Sequence, residues 1–153
     1  MVSTEPFRLL AVRAVGDYAT LDQAYERLFG SVFAHYPFER LAGVFGILYD
    51  DPRFDPAAAC VSDCAVDVGK DAVPTGEADV LNLPAGPHLR LRHTGPYALI
   101  QVSADLLYAS AIQMGLAIAD HPFWIHYVDT PESAPEEALR SDLYLPLQKE
   151  TTP

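Results

Sequence analysis

VRAVGDYATL at residues 12–21 and LRHTGPYALI at residues 91–100 share four residue types in the same spacing. The shared residues of the first stretch, each repeated 79 positions later, are Arg13, Gly16, Tyr18 and Ala19. The offset needs no gap between residues 12–68 and residues 91–147, and it also matches Ser62-Asp63 with Ser141-Asp142. A register kept over that length indicates an internal duplication. Two copies predict a pseudo-symmetric pair of modules, because a solenoid needs at least three repeats.

Each copy has the pattern strand, helix, strand, strand. Apolar residues of the first copy follow a 3.6-residue period between residues 21 and 33, which is typical of a helix, and the flanking segments read as strands. The second copy repeats the plan, with a helix from about Tyr97 to Gly115. The sequence therefore predicts an α+β fold made of two modules, at about residues 5–69 and 77–148. Residues 69–79 form the expected linker.

The helix of the second copy is apolar on two faces. Its inner face is predicted to contain Ile100, Ala104, Leu107, Tyr108, Ala111 and Ile112. A second, outer stripe consists of Leu99, Val102, Leu106 and Ala109. In the first copy the positions equivalent to the outer stripe are polar or small. A helix with two apolar faces must bury each of them against another part of the protein or a partner. The candidates that would bury the outer stripe are the folded-back C-terminal tail and a second copy of the chain in a homodimer.

Composition and charge argue against several classes of partner. Half of the 153 residues are apolar, so the chain can bury a core without metals or disulfides. The formal net charge of −11 disfavours binding to nucleic acid and to anionic membrane surfaces. Neither a signal peptide nor a membrane-length apolar run is evident, so we expect a cytoplasmic protein.

The chemistry-bearing residues show no catalytic or metal-binding pattern. Cys60 and Cys64 are four apart in a predicted strand, which places their Cα atoms about 13 Å apart, too far for a disulfide. The five histidines are scattered, and no phosphate loop or metal-ligand spacing is present. We therefore expect no cofactor, no metal and no catalytic residues.

Several segments in order resemble one family. They are the RxxGxY run that opens each copy, YDDPRFDP at residues 49–56, and YVDTPESAP with LRSDLYLPL at residues 127–147. Together they are similar to the GyrI-like small-molecule-binding family, which includes stand-alone DNA gyrase inhibitory proteins and the effector-binding domains of AraC-type and MerR-type regulators. The resemblance covers about residues 5–148. It implies a concave antiparallel sheet with a ligand groove at the junction of the two modules. Each module would then contribute one side of a single groove.

One departure from the family affects the expected ligand. The resemblance implies a glutamate six residues before the proline of IHYVDTP, where it meets cationic ligands, but this chain has Ile125. Neighbouring strand residues point to opposite faces, so His126 does not replace that acid. Trp124 is then expected to face the helix and belong to the core.

Strand alternation groups the residues expected to line the groove. The floor is predicted to consist of Phe123, Ile125 and Tyr127 from the second copy, and Val44, Gly46 and Leu48 from the first. Tyr18 and Tyr97, at the two helix starts, either clamp the ends of the groove or pack as hydrophobic staples. An apolar floor of this kind suits a flat lipophilic or aromatic ligand. Asp63 and Asp142 occupy matched strand positions, but Arg140 has Val61 as its counterpart, so an ion pair is expected in one half only.

These features predict a stand-alone protein that binds a small lipophilic or aromatic molecule, cationic or neutral, for sensing or sequestration. Two alternatives remain open. One is a gyrase-inhibitor-like protein that acts through a protein partner. The other is hydrolysis of strained drug-like compounds, but without an acid at position 125 that reaction lacks its obvious general base.

Overall fold

The computed structural model describes residues 1–16, 18–49, 61–120, 122–130 and 133–148, with side chains for all of these except 18–22 and 98. In chain order the strands and α-helices are β1 (Val2–Thr4), β2 (Phe7–Val15), α1 (Tyr18–Phe33), β3 (Gly43–Leu48), β4 (Val61–Asp67), β5 (Asp79–Leu83), β6 (Gly86–Thr94), α2 (Ile100–Gln113), β7 (Phe123–Tyr127) and β8 (Arg140–Pro146). Short 3-10 helices lie at Phe38–Arg40, Tyr97–Leu99 and Glu136–Ala138.

The chain divides into two compact units. The N-terminal unit comprises Pro6–Pro84, and the C-terminal unit comprises Met1–Glu5 together with Ala85–Pro153. Each unit follows the order strand, helix, strand, strand from its longest strand onward, β2 in one and β6 in the other. The predicted α+β fold of two repeated modules is confirmed.

In the N-terminal unit the strands lie in the order β3-β4-β2-β5, and each neighbouring pair is antiparallel. Helix α1 packs on β2 and β4. The unit's core between helix and sheet includes side chains with no solvent exposure, among them Leu10, Leu28, Val32 and Val66. Full burial of a leucine or valine side chain stabilises a fold by about 1.5–3 kcal/mol, so these contacts fix the helix against the sheet.

In the C-terminal unit the strands lie in the order β1-β6-β8-β7, again with antiparallel neighbours. Helix α2 packs on β6 and β8. It buries Ala104, Leu107 and Ala111. Ile112, which we predicted on this inner face, is 71% exposed. That prediction is wrong, because the buried stripe is narrow and Ile112 lies beyond its edge.

The sequence patterns missed two strands. β1 pairs with β6, and β5, which begins where the predicted linker ends, pairs with β2. Both are short and lie at the edge of their sheet, where pairing on one side suffices and little alternation is required. Among the described residues, no helix combines the length and hydropathy needed to cross a membrane.

Candidate ligand-binding site

Aromatic contacts show which face of β7 is turned toward α2. Tyr108 of α2 stacks on Phe123, with ring centroids 6.0 Å apart and planes at 22°. Tyr97, in the 3-10 helix before α2, meets Tyr127 edge to face at 5.3 Å. Side chains two residues apart share a face of a strand, so Ile125 lies on this same side. We call these four aromatic residues and Ile125 the aromatic cluster.

This orientation corrects the predicted one. We expected Trp124 to face the helix, with Phe123, Ile125 and Tyr127 on the other side of the sheet. The predicted grouping of these three residues is kept, but it is this group that faces α2. Trp124 therefore lies on the face of the sheet opposite α2.

The position of Tyr97 is fixed by the chain that leaves β7. Its hydroxyl donates to the backbone oxygen of Asp129 at 3.0 Å. The N–H groups of Val128 and Asp129 both donate to the oxygen of Arg140, at 3.0 and 3.2 Å. Two residues opposite one is the arrangement of a β-bulge, which redirects the strand at this point.

Asp129 is itself held by Arg140. The Arg140 guanidinium donates to both carboxylate oxygens at 2.8 and 3.0 Å, and the Arg140 backbone N–H donates to one of them at 3.0 Å. The hydrogen bonds from the guanidinium keep the pKa of Asp129 below its usual value. Tyr97 thus rests on a bulge that an ion pair stabilises.

The aromatic cluster combines burial with a partly open rim. Ile125 and Phe123 are 3% and 7% exposed, whereas Tyr97 and Tyr127 are intermediate and Tyr108 is 38% exposed. The floor is apolar and the rim carries phenol groups. Such a surface gains free energy by covering a flat apolar molecule, and tyrosine hydroxyls can orient polar substituents.

The equivalent face of the N-terminal unit is smaller in side-chain volume. Gly46 pairs with Cys64 across β3 and β4, and the hydroxyl of Tyr25 in α1 donates to the backbone oxygen of Phe45 at 2.8 Å, so α1 lies over this part of β3. Val44 and Leu48 share the face by alternation. The side chain of Tyr18 lies outside the described residues. A contribution of these four residues to ligand binding, and the expected groove between the modules, stay predictions.

On the opposite face of the C-terminal unit, three aromatic side chains form a second group that sequence reasoning missed. Trp124 and Tyr144 are cross-strand neighbours whose rings stack 3.9 Å apart with planes at 5°. The indole N–H donates to Nε2 of His88 at 3.2 Å. Because Nε2 accepts, the ring proton of His88 is on Nδ1, which donates to the Gly86 oxygen at 3.0 Å. Alternation along β6, β7 and β8 is the signal that could have found this group, once the pairing of the strands is known.

Each unit also has an arginine–aspartate pair on the face opposite its helix. Arg13 binds both carboxylate oxygens of Asp63 at 3.0 and 3.1 Å. Arg92 binds both oxygens of Asp142 at 2.8 and 3.0 Å. The expectation of a pair in one half only is wrong, because the partners are the two arginines of the repeated RxxGxY run.

None of these groups of described side chains has the donors of a metal-binding site. In the described ranges, no three histidine, cysteine, aspartate or glutamate side chains converge. Cys64 is a free thiol with no solvent exposure, and burial raises its pKa to about 12. It is therefore protonated and unreactive at neutral pH. Cys60 lies outside the described residues, so the absence of a bond between the two cysteines stays a prediction.

A protein built from two strand-helix-strand-strand units, with an aromatic cluster between helix and sheet, belongs to the class of α+β small-molecule-binding domains. The model of the GyrI-like small molecule binding domain matches residues 1–148. The chain therefore belongs to this family, as the resemblance predicted. No curated protein matches the chain.

Solved structures with this fold have low sequence identity to the chain. The EcmrR C-terminal domain is 15% identical, with a TM-score of 0.79 over 97% of this chain and 96% of that one. SAV2435, solved bound to tetraphenylphosphonium, is 13% identical, with a TM-score of 0.64 over 96% and 92%. A hydrolase from Listeria innocua is 13% identical, with a TM-score of 0.66 over 96% and 90%. At these identities the likeness shows the fold alone.

Proposed function

We propose that this protein binds a small lipophilic or aromatic molecule at the aromatic cluster of the C-terminal unit, for sensing or sequestration. The observation that carries the proposal is the pairing of Tyr97 with Tyr127 and of Tyr108 with Phe123 on either side of the buried Ile125. Two ring pairs on one strand face offer the flat rings of a ligand both an apolar floor and stacking partners.

Two structural neighbours support a binding role. SAV2435 was solved with tetraphenylphosphonium, a lipophilic cation, and the EcmrR C-terminal domain is part of a protein solved in complex with DNA. A binding unit that occurs both alone and as part of a DNA-binding protein fits a sensor or a sequestering protein.

Calorimetric titration with tetraphenylphosphonium tests the proposal. We expect saturable binding that Tyr127→Ala weakens about tenfold or more, because stacking on an aromatic ring and the apolar area beneath it are both lost. His126→Ala is the matched control, since residue 126 points to the opposite face and should leave the affinity within about twofold. Equal weakening by both variants, or no binding by the wild type, would refute the site.

A second copy of the chain is the occupant that we propose for the outer stripe of α2. Leu99, Val102 and Leu106 in this stripe are 51%, 65% and 58% exposed. Asp105 is the one charged residue in the 14-residue helix, whereas the whole chain has a net charge of −11. Two copies can therefore meet along α2 without opposing many carboxylates. Light scattering at increasing concentration tests this association, and a monomer throughout would refute it.

A further inference from the structure

The face of the C-terminal sheet opposite α2 carries an unusual share of the chain's positive charge. β6, β8 and β7 pair in register there, so side chains form rows across the three strands. From β6 through β8 to β7, the first row is Arg90, Tyr144 and Trp124, the second is Arg92, Asp142 and His126, and the third, where β7 has ended, begins with Thr94 and Arg140. Three of the ten lysines and arginines thus surround one aspartate.

The arginines of this face are exposed to solvent, whereas the acids paired with them are nearly buried. Arg92 and Arg140 have side chains that are 50% and 48% exposed, and Arg90 is also exposed. The side chains of their acid partners, Asp142 and Asp129, are 7% and 14% exposed. Three guanidinium charges against two carboxylates leave a local charge of +1 on a chain whose net charge is −11.

These arginines retain hydrogen-bonding capacity. A guanidinium has five N–H donors. Arg92 uses its Nε and Nη2 groups toward Asp142, and Arg140 uses the same two groups toward Asp129, which leaves each of them further donors for a ligand. Arg90 has no hydrogen bond or ion pair within the part of the chain that the structure describes. Planar donor groups of this kind match the oxygens of carboxylates and phosphates.

The first copy of the repeat shows which of these residues the fold requires. Its equivalent rows on β2, β4 and β3 keep the ion pair, as Arg13 and Asp63. The other positions differ: Arg90 corresponds to Ala11, Arg140 to Val61, His126 to Ile47, Tyr144 to Ala65 and Trp124 to Phe45. Since the same architecture forms with these residues in the N-terminal unit, it does not require Arg90 or Tyr144, and Arg140 has the one further structural role already described, its ion pair with Asp129.

We propose that Arg90 and Arg140, on either side of the Arg92–Asp142 pair, form a binding site for the carboxylate or phosphate group of a small anionic molecule. Arg92 stays paired with Asp142, and its remaining N–H groups donate hydrogen bonds to the same anion. Tyr144, the cross-strand neighbour of Arg90, offers a ring edge for an apolar part of the same molecule. This site lies on the opposite face from the aromatic cluster and is independent of the function proposed there.

Trp124 provides the reporter for a direct test, because it is the chain's one tryptophan and stacks on Tyr144. Benzoate and inorganic phosphate are titrated separately at constant ionic strength while tryptophan fluorescence is followed, so that carboxylate and phosphate recognition are distinguished. We expect a saturable change with at least one of them. Arg90→Ala should raise its Kd about tenfold through the loss of one charged hydrogen-bonding partner.

The variants follow the first copy, which has Ala11 and Val61 at these positions, and Arg140→Val in addition removes the ion pair with Asp129. Arg140→Val should weaken the same anion, and the Arg90→Ala/Arg140→Val double variant should weaken it further. Arg27→Ala is the matched control, because it removes an equally exposed arginine that lies on α1 and pairs with Glu77. It should change the Kd by less than about twofold.

Two results would overturn the proposal: no saturable response to either anion, or equal weakening by Arg27→Ala and Arg90→Ala, which would mean a general effect of charge. Tetraphenylphosphonium titration of Arg90→Ala is run alongside. Unchanged affinity for this cation together with lost anion binding would establish that the anion site is separate from the aromatic cluster.

Discussion

Replacing Ile125 by glutamate tests whether the face of β7 toward α2 is the ligand face. Ile125 is 3% exposed and pairs across strands with Leu143, which has no exposure. Loss of a buried isoleucine costs about 1.5–3 kcal/mol, and an acid buried there without a partner adds a further penalty. We expect a total loss of about 3–5 kcal/mol at pH 7, which lowers the melting temperature by about 10 °C or more in a chain of this length.

The same substitution should create affinity for lipophilic cations. A carboxylate in the apolar floor would attract a bound cation through charge alone, and at about 6 Å and an effective dielectric constant of about 20 that attraction is about 3 kcal/mol before desolvation, enough for roughly tenfold or more in affinity. Tetraphenylphosphonium should therefore bind Ile125→Glu more tightly than the wild type and restore part of its melting temperature.

Ile125→Gln separates charge from shape, because it has the same size as the glutamate variant and no charge. Desolvation raises the pKa of a buried glutamate, so the stability deficit of Ile125→Glu should shrink as the pH falls and the side chain is protonated, whereas that of Ile125→Gln should not. Calorimetry and thermal melts across pH measure both effects. Equal tetraphenylphosphonium affinity in the two variants would refute the assignment of the ligand to this face.

Three further outcomes are expected. Leu106→Glu, which places a charge in the exposed outer stripe of α2, should leave the fold intact by circular dichroism and shift any dimer to monomer in light scattering. Hydrogen bonds from Arg92 hold the pKa of Asp142 below its usual value. The resulting stabilisation is complete above about pH 4 and is lost as the pH falls through the lowered pKa; Asp142→Asn should remove it, at a cost of about 1 kcal/mol at pH 7, visible in melts between acid and neutral pH. Peptide mapping without reductant should find Cys60 and Cys64 unlinked, and a bond between them would contradict the extended strand predicted for residues 60–68.

The sequence by itself determined the repeated architecture and the family. The 79-residue register shows that whatever fold one copy adopts, the other shares, and the 3.6-residue and two-residue periods identify the helix and the main strands within each copy. Alternation also grouped Phe123, Ile125 and Tyr127 correctly. The periods and the alternation are local properties, because each depends on residues a few positions apart, and the repeat is recognised by comparing two such stretches.

The tertiary structure decided which face of each strand meets a helix. Trp124 and Ile125 are neighbours on β7, both large and apolar and both 3% exposed, so a two-residue period cannot tell which of them faces α2. Only the contacts of Tyr97 and Tyr108 with β7 resolve it. The pairing of Arg92 with Asp142, 50 residues away, is of the same kind. Such partners are set by which strands lie side by side, a property of the whole sheet that no short window of sequence contains.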